Sequence, residues 1–143
     1  MNEKVNFGSR KVLKTKKTKL VSDIFSSVSN KYDLMNDAMS FGLHRLWKER
    51  MYIVSKLKNS DNVLDLATGT GDIALKFLSK KKLISITCLD ENQEMLDICK
   101  NRLIDNGFVK DIKYIKSSAE TANFKDNSYT LATIAFGFRN FTD

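Results

Sequence analysis

From Asn62 onward, short apolar runs alternate with segments of helical period, and this alternation constrains the fold more than any other feature of the chain. Asn62 to Leu66 is a short apolar run that ends in a turn containing Gly69 and Gly71, the pattern of a buried strand. Asp72 to Ser79 reads as a helix, and Leu83 to Leu89 as a second strand. Gln93 to Ile104 follows as another helix, with Met95, Leu96, Cys99 and Leu103 at helical spacing. Asp111 to Ile115 and Ser128 to Phe136 read as two further strands, split by a polar stretch with Asn123, Asp126 and Asn127. This order predicts an α/β fold with an open, mostly parallel sheet and right-handed crossovers. Two helical stretches precede the sheet. Leu20 to Lys31 places Val21, Ile24, Phe25 and Val28 at helical spacing, and Leu34 to Leu57 is interrupted at Ser40, Phe41 and Gly42.

With 143 residues, 42% of them apolar, the chain has enough material for one core. Six Gly, no Pro and two Cys exclude collagen-like and disulfide-scaffold classes. Apolar runs fall short of the roughly 20 residues that span a bilayer, and no leader pattern follows the N-terminus, so a cytoplasmic chain is expected. Cys88 and Cys99 read as small buried side chains, and a single His with no zinc-type spacing argues against a metal site. The net charge of +7 is concentrated: Arg10, Lys11, Lys14, Lys16, Lys17 and Lys19 have no acid among them. Without those six, 18 basic residues face 17 acidic ones. Residues 1–19 are therefore expected to form a basic arm on a nearly neutral body. Such an arm is either a solvated lead-in or a binder of phosphates, in nucleic acid or at an anionic lipid surface. The absence of aromatic residues between Arg10 and Lys19 argues against single-strand binding.

In sheets of this kind, ligands bind beyond the carboxyl ends of the strands. The first strand ends in Asp65-Leu66-Ala67-Thr68-Gly69-Thr70-Gly71-Asp72, a turn that lets a ligand approach the backbone at a helix N-terminus. Ala67 stands at the first Gly position of the dinucleotide pattern and its third Gly is absent, so a pyrophosphate is disfavoured. Asp90 ends the second strand, where such sheets place an acid against ribose hydroxyls. Ser117-Ser118-Ala119-Glu120 ends the third, a turn suited to an adenine edge. Singly, Gly69 and Gly71 also read as ordinary turn glycines and Asp90 as a helix N-cap. Together they favour an adenosyl ligand without a diphosphate, which describes S-adenosylmethionine better than a nicotinamide dinucleotide.

The run from Tyr32 to Trp47 (YDLMNDAMSFGLHRLW) matches Y-D-x-M-N-x-x-[LIVM]-S-x-x-x-H-x-x-W at every specified position. By this signature the chain resembles the ubiquinone/menaquinone biosynthesis C-methyltransferase (UbiE) family of class I methyltransferases. The glycine turn, Asp90, Ser118-Ala119-Glu120, Asn6-Phe7-Gly8 and the closing Phe136-Gly137-Phe138-Arg139-Asn140-Phe141-Thr142-Asp143 extend the resemblance from about Asn6 to the last residue. Ser118, Ala135 and Ala122-Asn123-Phe124 depart from residues common in bacterial members, and Ala135 removes a hydroxyl that a cofactor would contact.

The resemblance implies a Rossmann-like fold with N-terminal helices, truncated after the fourth of seven strands, because the family's later Lys-Pro-Gly-Gly turn is not in this sequence. It implies a substrate-covering helical region over 20–58 and a partial S-adenosylmethionine-binding domain over 59–143. Asp65, Gly69, Thr70, Gly71, Asp90, Ser118, Ala119 and Ala135 are the cofactor-binding candidates, with no metal. The implied reaction transfers the methyl group to a ring carbon of a polyprenyl quinol, either a demethylmenaquinol or a benzoquinol. Arg139 would then stabilise a phenolate, His44 carry a proton, and Tyr32 and Asp33 orient the ring or relay that proton. Phe41 and Trp47 would wall the isoprenoid tail. His44 reads equally as a packing residue, and the bland alternative for Arg139 is a partner of Asp143 or of a helix end. Weak or absent turnover by this chain alone, leaving a non-catalytic adenosyl-binding fragment, is the alternative expectation. For a membrane-resident substrate the basic arm fits a peripheral contact with anionic lipid better than nucleic acid.

Overall fold

The computed structural model describes residues 4–7, 10–13, 19–20, 23 and 42–135. Within the basic arm, β1 (Lys4–Phe7) and β2 (Arg10–Leu13) pair antiparallel, with Val5 opposite Val12 and Phe7 opposite Arg10. The sequence reading has no strand here, because the density of lysines obscures two runs of only four residues. Lys19, Leu20 and Asp23 have helical backbone, and the rest of the helix expected over 20–31 lies outside the described residues.

α1 (Leu43–Ser55) starts after Gly42, whose φ of 77° breaks the helical pattern where the sequence indicates an interruption. Residues 34–41 of that expected helix lie outside the described residues. Then come β3 (Asn62–Leu66), α2 (Asp72–Lys80), β4 (Ser85–Asp90), α3 (Gln93–Asp105), β5 (Ile112–Lys116) and β6 (Leu131–Ile134). The four strands β3 to β6 form one parallel sheet in the order β5-β4-β3-β6. The chain winds outward from β3 to β5, then returns to place β6 against the other side of β3. The crevice between β3 and β6 is thus the point where the winding reverses, the ligand position of such sheets.

Three strand boundaries need correction, the smallest being that of β5, which runs over Ile112–Lys116 and not Asp111–Ile115. The second sheet strand runs over Ser85–Asp90, not Leu83–Leu89: Leu83 sits in the preceding turn and is 71% exposed. The last strand is Leu131–Ile134, not Ser128–Phe136. Asn62 holds the backbone before it, with its side-chain amide donating to the Ser128 carbonyl at 2.6 Å and its carbonyl accepting from Thr130 N–H at 2.9 Å. Phe136 lies outside the described residues.

On one sheet face Val63, Ile86 and Cys88 pack against Ile73, Ala74, Phe77 and Leu78 of α2 and Leu96, Cys99 and Leu103 of α3. α1 joins this layer through Met51 and Tyr52, the latter edge-to-face with Phe77 at a centroid separation of 6.2 Å. Glu49 of α1 also pairs with Lys76 of α2. Alternation puts Leu64, Thr87 and Leu89 on the other face. There Tyr129, stacked edge-on with Phe124, donates its hydroxyl to Thr87 Oγ1 at 3.2 Å. None of the described helices is long and apolar enough to cross a membrane.

Gly71 and Gly69 both have positive φ, 81° and 56°, but differ in surroundings. A Cβ on Gly71 would meet Cys99 Sγ at 2.5 Å, whereas one on Gly69 meets nothing within 4 Å among the described residues. Left-handed backbone costs an L-residue roughly 1–2 kcal/mol, and overpacking typically adds 1–3. Gly71→Ala is therefore expected to lower the urea-unfolding free energy by about 3 kcal/mol and Gly69→Ala by only about 1 kcal/mol. Equal losses in the two variants would contradict the packing of Gly71 on Cys99.

Candidate functional site

All eight cofactor-binding candidates lie at the carboxyl ends of the four parallel strands. The loop from β3 to α2 is the centre of the group. Its backbone turns left-handed at Ala67 (φ 50°) as well as at Gly69 and Gly71. Thr68 N–H donates to the Leu89 carbonyl at 2.9 Å, and Gly71 N–H to the Thr68 carbonyl at 3.0 Å. The loop is thereby tied to β4 and closed on itself.

Two aspartates hold this loop from different depths. Asp65 is buried in β3, and its carboxylate accepts from the Thr68 hydroxyl at 2.6 Å and the Thr133 hydroxyl at 2.9 Å. Burial pushes its pKa up to about 6. The two hydroxyl bonds pull it back down, while Asp90 and Asp72 add to the rise. Asp90, at the end of β4, accepts from Gly69 N–H at 2.8 Å through Oδ2 and from Asn92 N–H at 2.9 Å through Oδ1. Burial raises its pKa and those backbone donors offset part of the rise. Glu91 N–H is a further, weaker donor to this carboxylate, which keeps acceptor capacity beyond the three backbone groups. The N-cap reading of Asp90 is corrected. Asn92 caps α3, its side-chain oxygen accepting from Glu94 N–H at 2.9 Å and Met95 N–H at 3.3 Å.

Thr70 is buried and turns its hydroxyl to Arg102 Nη1 at 3.5 Å. Ser118 forms the turn after β5, its hydroxyl accepting from Glu120 N–H at 3.3 Å and its carbonyl from Ala122 N–H at 2.9 Å. Ala119 is half-buried beside it, and Ala135 follows β6 and packs against the core. His44 is buried in the first turn of α1, while Trp47 in the next turn is 54% exposed. Tyr32, Asp33, Phe41 and Arg139 lie outside the described residues.

Sequence reasoning missed two groups. Asp72, in the first turn of α2, pairs with Lys48 of α1 and with Arg102 of α3 at 2.6 Å, so one carboxylate fastens three helices beneath the loop. Burial pushes the Asp72 pKa up, but Lys48 and Arg102 together outweigh it and hold the group below its ordinary value. No periodicity links Lys48 to Asp72, so no sequence signal marks this pair. Thr133 is the other omission. A hydroxyl residue in the middle of the apolar run Leu131-Ala132-Thr133-Ile134 was the available signal, because a buried hydroxyl needs a partner.

Residues 11–143 match the family model described as the ubiE/COQ5 methyltransferase family. A Rickettsia prowazekii protein named ubiquinone/menaquinone biosynthesis C-methyltransferase UbiE is 50% identical over 142 residues, covering 96% of this chain and 57% of the relative. A Rickettsia bellii protein of the same name is 47% identical over 148 residues, covering 100% of this chain and 58% of the relative. The chain therefore spans little more than half the length of these curated relatives. Among solved structures, a Methanococcus maripaludis putative S-adenosyl-L-methionine-dependent methyltransferase superposes with a TM-score of 0.65 at 16% identity, over 80% of this chain and 52% of that one. A Thiobacillus denitrificans SAM-dependent methyltransferase, solved with S-adenosyl-L-homocysteine, gives 0.56 at 20% identity, over 65% and 37%. At these identities the structures show the fold.

The protonation of Asp65 is measurable in the free protein. A buried acid with a raised pKa favours the fold most below its unfolded value of 3.8, and that contribution is lost as pH rises towards about 6. Asp65→Asn removes this dependence. Relative to the variant, wild-type unfolding free energy should fall by roughly 3 kcal/mol between pH 3.5 and pH 7, as read by urea denaturation. A difference that stays flat with pH would show that Asp65 titrates normally.

Proposed function

The chain belongs to the ubiE/COQ5 methyltransferase family, and from that premise we propose that it binds S-adenosylmethionine for C-methylation of a polyprenyl quinol. The observation that carries this reading is the convergence of the left-handed glycine loop and Asp90 at the point where the sheet winding reverses. The residues present fit an adenosyl group. Among the described residues the space over Gly69 is open, and the Asp90 carboxylate keeps acceptor capacity for ribose hydroxyls. Ser118 and Ala119 would border the base, and the half-buried Ala135 would close the crevice from β6. When bound, the sulfonium supplies a methyl group already activated for transfer, so alignment is the protein's main contribution.

The acceptor carbon becomes nucleophilic when the neighbouring phenol loses its proton. Arg139 is assigned to phenolate stabilisation, His44 to carrying the proton, and Tyr32 and Asp33 to orienting the ring. Names of the relatives, which refer to ubiquinone and menaquinone biosynthesis, support a quinol acceptor. Phe41 and Trp47 would face its isoprenoid tail. The basic arm would supply a peripheral contact with anionic lipid at the cytoplasmic face, where such an acceptor resides. The domain roles follow the same division: 1–19 for surface contact, 20–58 for substrate cover and 59–143 for the adenosyl group.

Calorimetry separates the binding claim from the catalytic one. Wild type is expected to bind S-adenosylhomocysteine, and Asp90→Ala to bind it about 100-fold more weakly, since two hydroxyl bonds to a charged acceptor are lost. Transfer of radiolabelled methyl to demethylmenaquinol then decides between methylation and binding alone. Equal affinity in wild type and variant would remove Asp90 from the site.

A further inference from the structure

Thr133 stands directly across the sheet from Asp65, its register partner on β6, and both side chains are buried. The Thr133 hydroxyl occupies Asp65 Oδ1 at 2.9 Å, leaving Oδ2 to receive the Thr68 hydroxyl at 2.6 Å. A carboxylate has one free torsion that sets where both oxygens point, so fixing Oδ1 fixes Oδ2. Thr68 in turn lies between two left-handed residues, Ala67 and Gly69, in a loop whose conformation persists only if its surroundings over-determine it. On the opposite side Asp65 is level with Cys88, a thiol that packs with Cys99 and lends no hydroxyl. Thr133 is therefore the strand donor that orients this carboxylate from β6, on the far side of the crevice.

We propose that Thr133 is a positioning residue for the loop Ala67–Gly71: acting through Asp65 and Thr68, it sets the loop conformation that receives the ligand. This extends the function proposed above in one respect, because the ligand arm of its test rests on the adenosyl reading and the loop arm does not. β6 thereby both lines the crevice and, through Asp65, holds the loop on the other wall.

Thr133→Val keeps the shape and removes the hydroxyl, while Thr133→Ser restores it. The loop arm is amide hydrogen exchange of the whole unliganded chain, read at Thr68 and Gly71, with Asn106 and Gly107 at the end of α3 as reference amides. Thr133→Val is expected to lower protection about tenfold at Thr68 and Gly71 relative to the reference amides, and Thr133→Ser to return it. Unchanged protection at the loop, or a loss equal at loop and reference amides, overturns the proposal; the second result would mark Thr133 as a packing residue. The ligand arm is calorimetry with S-adenosylhomocysteine. Binding by wild type that weakens about tenfold in Thr133→Val and recovers in Thr133→Ser supports the proposal, and binding unaffected by Thr133→Val overturns it. Selective loss of loop protection with no binding by wild type upholds the positioning role and removes the adenosyl reading instead.

Discussion

The chain passes from β3 into α2 through five residues, three of which, Ala67, Gly69 and Gly71, have left-handed backbone. Such a loop is costly for a chain of L-residues, about 1–2 kcal/mol at Ala67 alone, and the rest of the structure is arranged around keeping it in place. Asp65 and Thr68 hold it from below, Asp90 takes the Gly69 N–H from the side, and Thr68 N–H bonds the last turn to β4. The result is a loop that leaves the space over Gly69 open, which a glycine-rich segment held only by its own sequence would not maintain.

The same constraint reaches into the helical layer. Gly71 lies so close to Cys99 that no side chain fits, and this brings the start of α2 against α3. Asp72 follows at once and is neutralised by Lys48 and Arg102, which arrive from α1 and α3. An acid at a helix N-terminus is favourable in itself, and here it also offsets the burial of two cations. α1, which carries the buried His44, is thus fastened to the layer beneath the loop by an ion pair and by the packing of Tyr52 on Phe77.

The architecture was largely legible in the sequence because periodicity changes where the elements change. Asn62–Leu66 agrees with the reading at both ends, and α2 and α3 extend it by one residue each. The errors fall where period 2 and composition carry no information. Leu83 is apolar but sits in a turn, and Ser128 and Thr130 continue the strand pattern while bonding to Asn62 at the start of β3. β1 and β2 were hidden by lysines. At the site, residues whose role depends on a strand end were visible: Gly69, Gly71 and Asp90 follow apolar runs and stand out. Thr133 and Lys48 were not, because each works through a partner 68 or 24 positions away.

Asp65 and Asp90 show why residue type alone does not assign a role. Both are aspartates near the carboxyl end of adjacent parallel strands, and both hold the same loop. Asp65 sits one residue inside β3, between Cys88 and Thr133 on the neighbouring strands, and both its oxygens are engaged by hydroxyls in a dry environment. Asp90 is the last residue of β4 and is engaged by backbone amides, with acceptor capacity remaining on the carboxylate. Asp90 thus lies two residues beyond the level of Asp65, and that depth separates a carboxylate held between strands from one held by loop amides. Depth is fixed by strand register, which single-sequence periodicity places only to within a residue or so. A slip of one residue turns a side chain to the other face of the sheet, so the depth that separates these two aspartates is read from the strand pairing and not from the sequence.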